Sequence, residues 1–375
     1  AKLASKGSLT WRWLAYLLEA NPAVDPIRQV IRRRLMDASM IQGELKRLNR
    51  MLVTLHEIGI VILNPPPPEA WRQAVKPAGA SLPRNAESDE GDDTESSDDS
   101  ENSTESVANS KNLQELMGLL KLGNDATLGA ARSGTAAGGK KGVLPDEPKP
   151  YEPITATPTD RLKQLMVFRA VHPLYGVFLM DYLGIADNHE LIQILESLLE
   201  MPGSVAKHVR VPWHDELPPG RLSTEVVDPA ILTRGLATQE DLYPQADQSD
   251  IPPEFRKYPV PLAQKMRMLF ESTIDHAGGL SVTPVWVVGD MLTYGGSFDK
   301  YVRARDLVKQ EGIIFKHLLR MVLLCDEFAQ LTPRGIVPDV WQTTLANLSA
   351  SLTTACRTVD PQCTDEMLEE LADDA

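Results

Sequence analysis

The stretch 311–331, EGIIFKHLLRMVLLCDEFAQL, decides the fold class. Ile314, Leu318, Met321, Val322, Cys325 and Phe328 recur at intervals of three and four, the spacing of one helical face. A stripe that wide predicts a central core helix over 312–331, stopped by Pro333. Working outward, Pro338, Trp341, Leu345, Leu348 and Leu352 predict a following helix over 338–357. Upstream, helices are predicted over 261–275, 284–294 and 298–308, with Gly295-Gly296 as the break and Ser297 as the cap. Further back, 161–171, 174–184 and 188–200 read as helices, the last capped by Asn188, and 205–259 as a Pro-rich irregular loop.

The N-terminal block is helical too. Segments 9–20, 26–36 and 38–58 carry apolar faces, with Asn21-Pro22 and Asp25-Pro26 between the first two. Gly59 ends the third helix and Ile60-Val61-Ile62-Leu63 reads as a short strand, so a winged-helix element is one reading. No alternation of strands and helices builds a parallel sheet. The expected class is mostly α: a helical bundle with a small N-terminal helical, winged-helix-like module and a long disordered acidic linker.

Charge divides the chain in the same way. The 375 residues carry a net −14, yet residues 1–63 hold ten Lys/Arg against five Asp/Glu. Residues 64–110 hold three against eleven, and 365–375 six acids and no base. Such asymmetry accompanies polyanion-binding surfaces. The expected domains are a basic module over 1–64, a Pro-rich and acidic linker over 65–158, a helical domain over 159–364 and an acidic tail over 365–375. Within the linker, 111–122 forms a short amphipathic island suited either to a protein partner or to docking on the main body, and Ser96, with Asp99 after it, resembles an acid-directed phosphorylation site.

Composition narrows the function classes. Hydrophobic residues make up 42% and charged residues 24%, so a sizeable core forms and a wholly disordered chain is excluded. No apolar run approaches the ~18 residues of a membrane span, and Lys2 and Lys6 precede no signal-like apolar stretch. The absence of a first Met suggests processing or a fragment. Cys325, Cys356 and Cys363 form no CxxC pair, which argues against a zinc site and for a reducing, intracellular (cytoplasmic) setting.

Catalytic signatures are missing. There is no Walker loop, no dinucleotide fingerprint, no G-x-S-x-G and no H-E-x-x-H. Gly138 to Gly142 is Gly-rich and basic but follows no strand. His214-Asp215-Glu216 reads as a solvated loop, His189-Glu190 as a helix start, His317 as a partly buried partner of a carboxylate, and Cys325 as a small core residue. No residue is assigned to catalysis, to a cofactor or to a metal. Basic residues are the stronger signal: Arg28, Arg32, Arg33 and Arg34 on one helix, Lys46, Arg47 and Arg50 on the next, Lys300, Arg303 and Arg305 before the core helix. Lys316 and Arg320, four apart on that helix, face one way and suit neighbouring phosphates.

Two blocks of the chain resemble the C-terminal region of exosome-associated DExH-box RNA helicases. Ser297-Phe298, then Glu311, Gly312, Ile314, Phe315, Lys316, Leu318, Arg320 and Met321, resemble the family's terminal helical domain. The segment from Leu9-Thr10-Trp11 to Arg34-Leu35 resembles the stretch after its second RecA-like domain. The low-complexity insert departs from the folded arch usual there. The resemblance implies an accessory portion that guides single-stranded RNA and packs on a RecA-like helicase core. ATP and Mg would be bound only by those absent domains, so this chain alone would not hydrolyse ATP. It also implies backbone contacts from Lys316 and Arg320. The alternative from the residues themselves is a non-enzymatic helical scaffold, binding protein partners through the linker.

Overall fold

The computed structural model describes residues 7–69, 71, 151–245, 247–250, 252, 256–274 and 279–373. The chain is mostly helical. The amphipathic island at 111–122, Ser96 and most of the expected linker lie outside the described residues.

Three helices open the chain: α1 (Trp11–Ala20), α2 (Asp25–Arg32) and α3 (Ala38–Glu57). Thr10 caps α1 through its side chain, which accepts from the Trp13 amide, and Pro26 pre-sets the first turn of α2. Gly59, at φ 73°, turns the chain out of α3 into β1 (Val61–Asn64). The partner of β1 comes from residues expected in the linker. β2 (Thr155–Pro158) pairs antiparallel with β1, Val61 opposite Pro158 and Asn64 opposite Thr155. The other edge of β2 meets Ala23 in an isolated bridge, so it lies between Ala23 and β1. Val24 N donates to Ile154 O at 3.0 Å and Ala156 N to Pro22 O at 2.8 Å.

The linker boundary is therefore corrected: Tyr151 and Ala156, placed in the linker by the sequence, are buried in the core. The two ordered blocks are corrected as well. Residues 1–77 and 150–375 form one compact unit rather than two domains. Strand pairing is the physical reason, since an unpaired β1 would leave its backbone groups unsatisfied.

After β2 come α4 (Leu162–Val167), α5 (Pro173–Met180) and α6 (Asn188–Ser197). Asp187, not Asn188, caps α6, in a reciprocal capping box with Glu190. The Pro-rich region is more ordered than expected, with α7 (Gly203–Ala206), a π-helical turn (Leu222–Val227), α8 (Asp228–Thr233) and α9 (Gln239–Leu242). Then follow α10 (Leu262–Thr273), α11 (Val287–Thr293) and α12 (Phe298–Ala304).

The predicted core helix is α13 (Glu311–Ala329). Ile314, Leu318, Met321, Val322, Cys325 and Phe328 are all buried on it, and each larger side chain contributes about 1.5–3 kcal/mol. α14 (Pro338–Val359) lies along it, and Trp341 Nε1 donates to the Phe328 carbonyl at 3.1 Å. The acidic tail is corrected to a helix, α15 (Pro361–Asp373). Asp360 starts it, accepting from the Cys363 amide at 2.9 Å, and Met367 and Leu368 pack on the core. Asp365, Glu366 and Glu369 are exposed on the other side of this amphipathic helix.

Candidate nucleic-acid interface

Burial and pairing sort the basic residues into two groups. Arg28 is 6% exposed. Its Nη2 donates to the Pro153 carbonyl at 2.7 Å, and Nη1 lies 3.5 Å from Asp25. Ile27 and Ile31 face the core, and Arg28 is drawn to the same side of α2. It ties α2 to the chain entering β2, so its place on an exposed basic face is corrected. Arg34 donates to the Gly7 carbonyl and lies over the Trp13 ring at 5.3 Å. Arg305 forms a bidentate pair with Asp290, at 2.6 and 2.8 Å, linking α12 to α11. That pairing occupies the fork a phosphate would need.

The second group is free among the described residues. Arg32, Arg33, Lys46, Arg50, Arg303 and Lys316 are exposed with no ion pair or hydrogen bond to another side chain. Arg47 approaches Glu44 only at 3.9 Å, and the Glu44 carboxylate itself accepts from the Leu9 amide at 3.0 Å. Lys46, Arg47 and Arg50 share the solvent face of α3, opposite Leu48, Leu52 and Leu55. Lys316 and the half-buried Arg320 stand away from the core stripe of α13. The free cations thus fall in two settings, the α2–α3 module and the α12–α13 segment. Aromatic companions escaped the sequence reading: Arg12 lies over the Tyr16 ring at 5.8 Å, and Tyr16 is exposed.

Two buried polar clusters lie apart from these cations, and the first lacked a sequence signal. Lys265 Nζ lies 2.8 Å from Asp228 Oδ1 and donates to Tyr243 Oη at 3.0 Å; Tyr243 Oη donates to Asp228 Oδ2. Burial lowers the Lys265 ammonium below its usual range, opposed by the Asp228 carboxylate. Nearby, Glu190 accepts from the Leu222 and Ser223 amides at 3.0 and 2.8 Å and anchors the π-helical turn. A cavity of about 60 Å³ adjoins the cluster, lined by Glu190, Gln193, His214, Ser223, Tyr243 and Lys265. His214 sits in a turn, half-buried: it lies 3.4 Å from the exposed Asp215 and meets the Tyr243 ring edge-on at 5.7 Å. The cavity falls well below the ~300 Å³ at which small-molecule sites begin, while one water needs ~10–15 Å³. This cluster staples α8, α10 and the segment after α9.

In the second cluster, His317 Nε2 lies 3.2 Å from Glu196 Oε1, which also accepts from the Val287 and Val288 amides at 3.1 and 2.7 Å. Burial raises the Glu196 carboxyl, opposed by His317 and the two amides. The amides are those that open α11, so Glu196 satisfies donors the helix cannot. His317 thus has the carboxylate partner its sequence position suggested. Among the described residues, no group of three or more His, Cys, Asp or Glu is arranged to hold a metal ion. None of the described helices is long and apolar enough to cross a membrane.

Comparison with protein-family models, curated proteins and solved structures finds no match.

Proposed function

We propose that this chain is the C-terminal accessory portion of a DExH-box RNA helicase, guiding single-stranded RNA and packing on a RecA-like core. The observation that carries the reading is the set of exposed cations without carboxylate partners on α2, α3, α12 and α13. Phosphates are the complementary ligand for such a set. Placement of Lys316 and Arg320 off the α13 core stripe supports the reading, because it leaves Lys316 exposed and Arg320 partly so. The winged-helix reading of the N-terminal module draws support from the order Ala23–β2–β1 behind three helices.

The chain's own role is binding and packing. ATP and Mg belong to the RecA-like domains, and a cytoplasmic site of action accompanies the proposal. A protein partner on the linker is the competing reading. Fluorescence anisotropy with labelled single strands of RNA and DNA, ~20 nucleotides long, across a salt series tests it. RNA binding that weakens with salt, and weakens further in Lys316→Glu/Arg320→Glu, is expected. No binding at about 50 mM salt would remove the RNA role and favour the scaffold.

A further inference from the structure

Helix α3 presents one face to solvent along its first turns. At 100° per residue, Ser39, Gly43, Lys46, Arg47 and Arg50 fall within a sector of about 100°, with Gly43 near its middle. All five are exposed, while Leu48, Leu52 and Leu55 hold the opposite side to the core. Glycine inside an exposed helix destabilises it relative to alanine, so its presence there calls for a reason.

The fold supplies none. Gly43 has no positive φ. Among the described residues, a Cβ placed on it meets nothing within 4 Å. Two mid-helix glycines differ: a Cβ at Gly176 would strike the Phe168 ring at 2.5 Å, and one at Gly289 the Trp286 ring at 2.0 Å, whereas Gly203 and Gly312, in the first turns of α7 and α13, are open as Gly43 is. Gly176 and Gly289 are required by packing, and Gly43 is not. What a missing Cβ offers at an open surface is close approach by something outside the chain.

Charge says what approaches. Lys46, Arg47 and Arg50 surround Gly43, and the acid among them, Glu44, is held by the Leu9 amide. Helical side chains lean toward the N-terminus, so Lys46 and Arg47 reach over the turn that holds Gly43. Arg50 starts about 10 Å further along the axis. A polyanionic strand lying across Gly43 would meet cations on its flank and backbone beneath it.

We infer that α3 is a docking ridge for the sugar-phosphate backbone of an RNA strand, with Gly43 as the point of closest approach and Lys46, Arg47 and Arg50 as its phosphate contacts. This rests on the RNA-guiding reading above and assigns it a surface. The test uses the full chain, ~20-nucleotide labelled RNA and four proteins: wild type, Gly43→Ala, Gly43→Leu and Lys46→Gln/Arg50→Gln. Gly43→Ala is expected to raise Tm while weakening binding. Gly43→Leu is expected to weaken it about tenfold at a Tm no lower than wild type, and the Gln pair to flatten the salt dependence. A folded Gly43→Leu that binds like wild type overturns the inference. If Lys316→Glu/Arg320→Glu still weakens binding in that case, the RNA reading stands without it. A wild-type chain that binds no RNA overturns both.

Discussion

Lys265→Met tests whether the buried charge cluster is a staple or a ligand site. The Lys265 and Asp228 side chains are 4% and 8% exposed, and they meet at 2.8 Å. The substitution keeps the apolar stem but removes the ammonium. Asp228 then holds a buried carboxylate with only the Tyr243 hydroxyl as partner. Breaking such a pair from one side costs about 3–5 kcal/mol. For a folded unit of this size that lowers Tm by roughly 5–8 °C. Removing both charges, as Asp228→Asn/Lys265→Met, abolishes the unpaired ion, so the double variant is expected within about 2 kcal/mol of wild type. Urea and thermal melts followed by circular dichroism complete the double-mutant cycle. A single variant as stable as wild type would refute the burial argument. A single variant of unchanged Tm that loses RNA binding would refute the structural role and make Lys265 a ligand contact.

Three further outcomes follow from the geometry. Gly184→Ala places a Cβ 1.9 Å from the Arg334 carbonyl oxygen, on backbone pinned by the Arg334 N to Met180 O bond of 3.1 Å; a loss of about 3 kcal/mol in urea melts is expected. Asp241 is held down to about 2 by the Thr238 hydroxyl, Lys257 and the Thr238 amide. Its stabilisation is present above its unfolded pKa of 3.8 and is lost as pH falls through about 2, so Asp241→Asn is expected to flatten the acid limb of a Tm-against-pH curve. Burial pushes the Cys325 and Cys356 thiols up to about 12, so a thiol reagent at pH 8 is expected to modify the half-buried Cys363 first, as mass spectrometry would show.

Much of the helical framework was legible residue by residue. The α13 stripe, the Pro338 start of α14 and the Pro26 and Gly59 signals are local: each depends on neighbours within a turn or two. The acidic run after 364 misled because charge counts ignore phase; Met367 and Leu368 give it an apolar side only once it is wound as a helix. The candidate interface was legible as a list of cations and not as a surface. Arg28 and Arg32 stand one turn apart on α2, yet one is buried and the other exposed. What separates them is the Pro153 carbonyl, 125 residues from Arg28. Similarly, Arg305 and Arg303 differ through Asp290, which fills one fork and leaves the other side chain to solvent.

The sequence by itself determined where the longer helices lie, which of their faces are apolar, and how charge is apportioned along the chain. Backbone hydrogen bonds, caps and side-chain periodicity act over a few residues, so their pattern is written in order. Only the tertiary structure decided that β2 closes on β1 and Ala23, that Lys265 meets Asp228 and Tyr243, and which cations remain free for phosphate. Those outcomes depend on desolvation and pairing between groups distant in sequence, and a buried charge finds its partner only when the chain is packed.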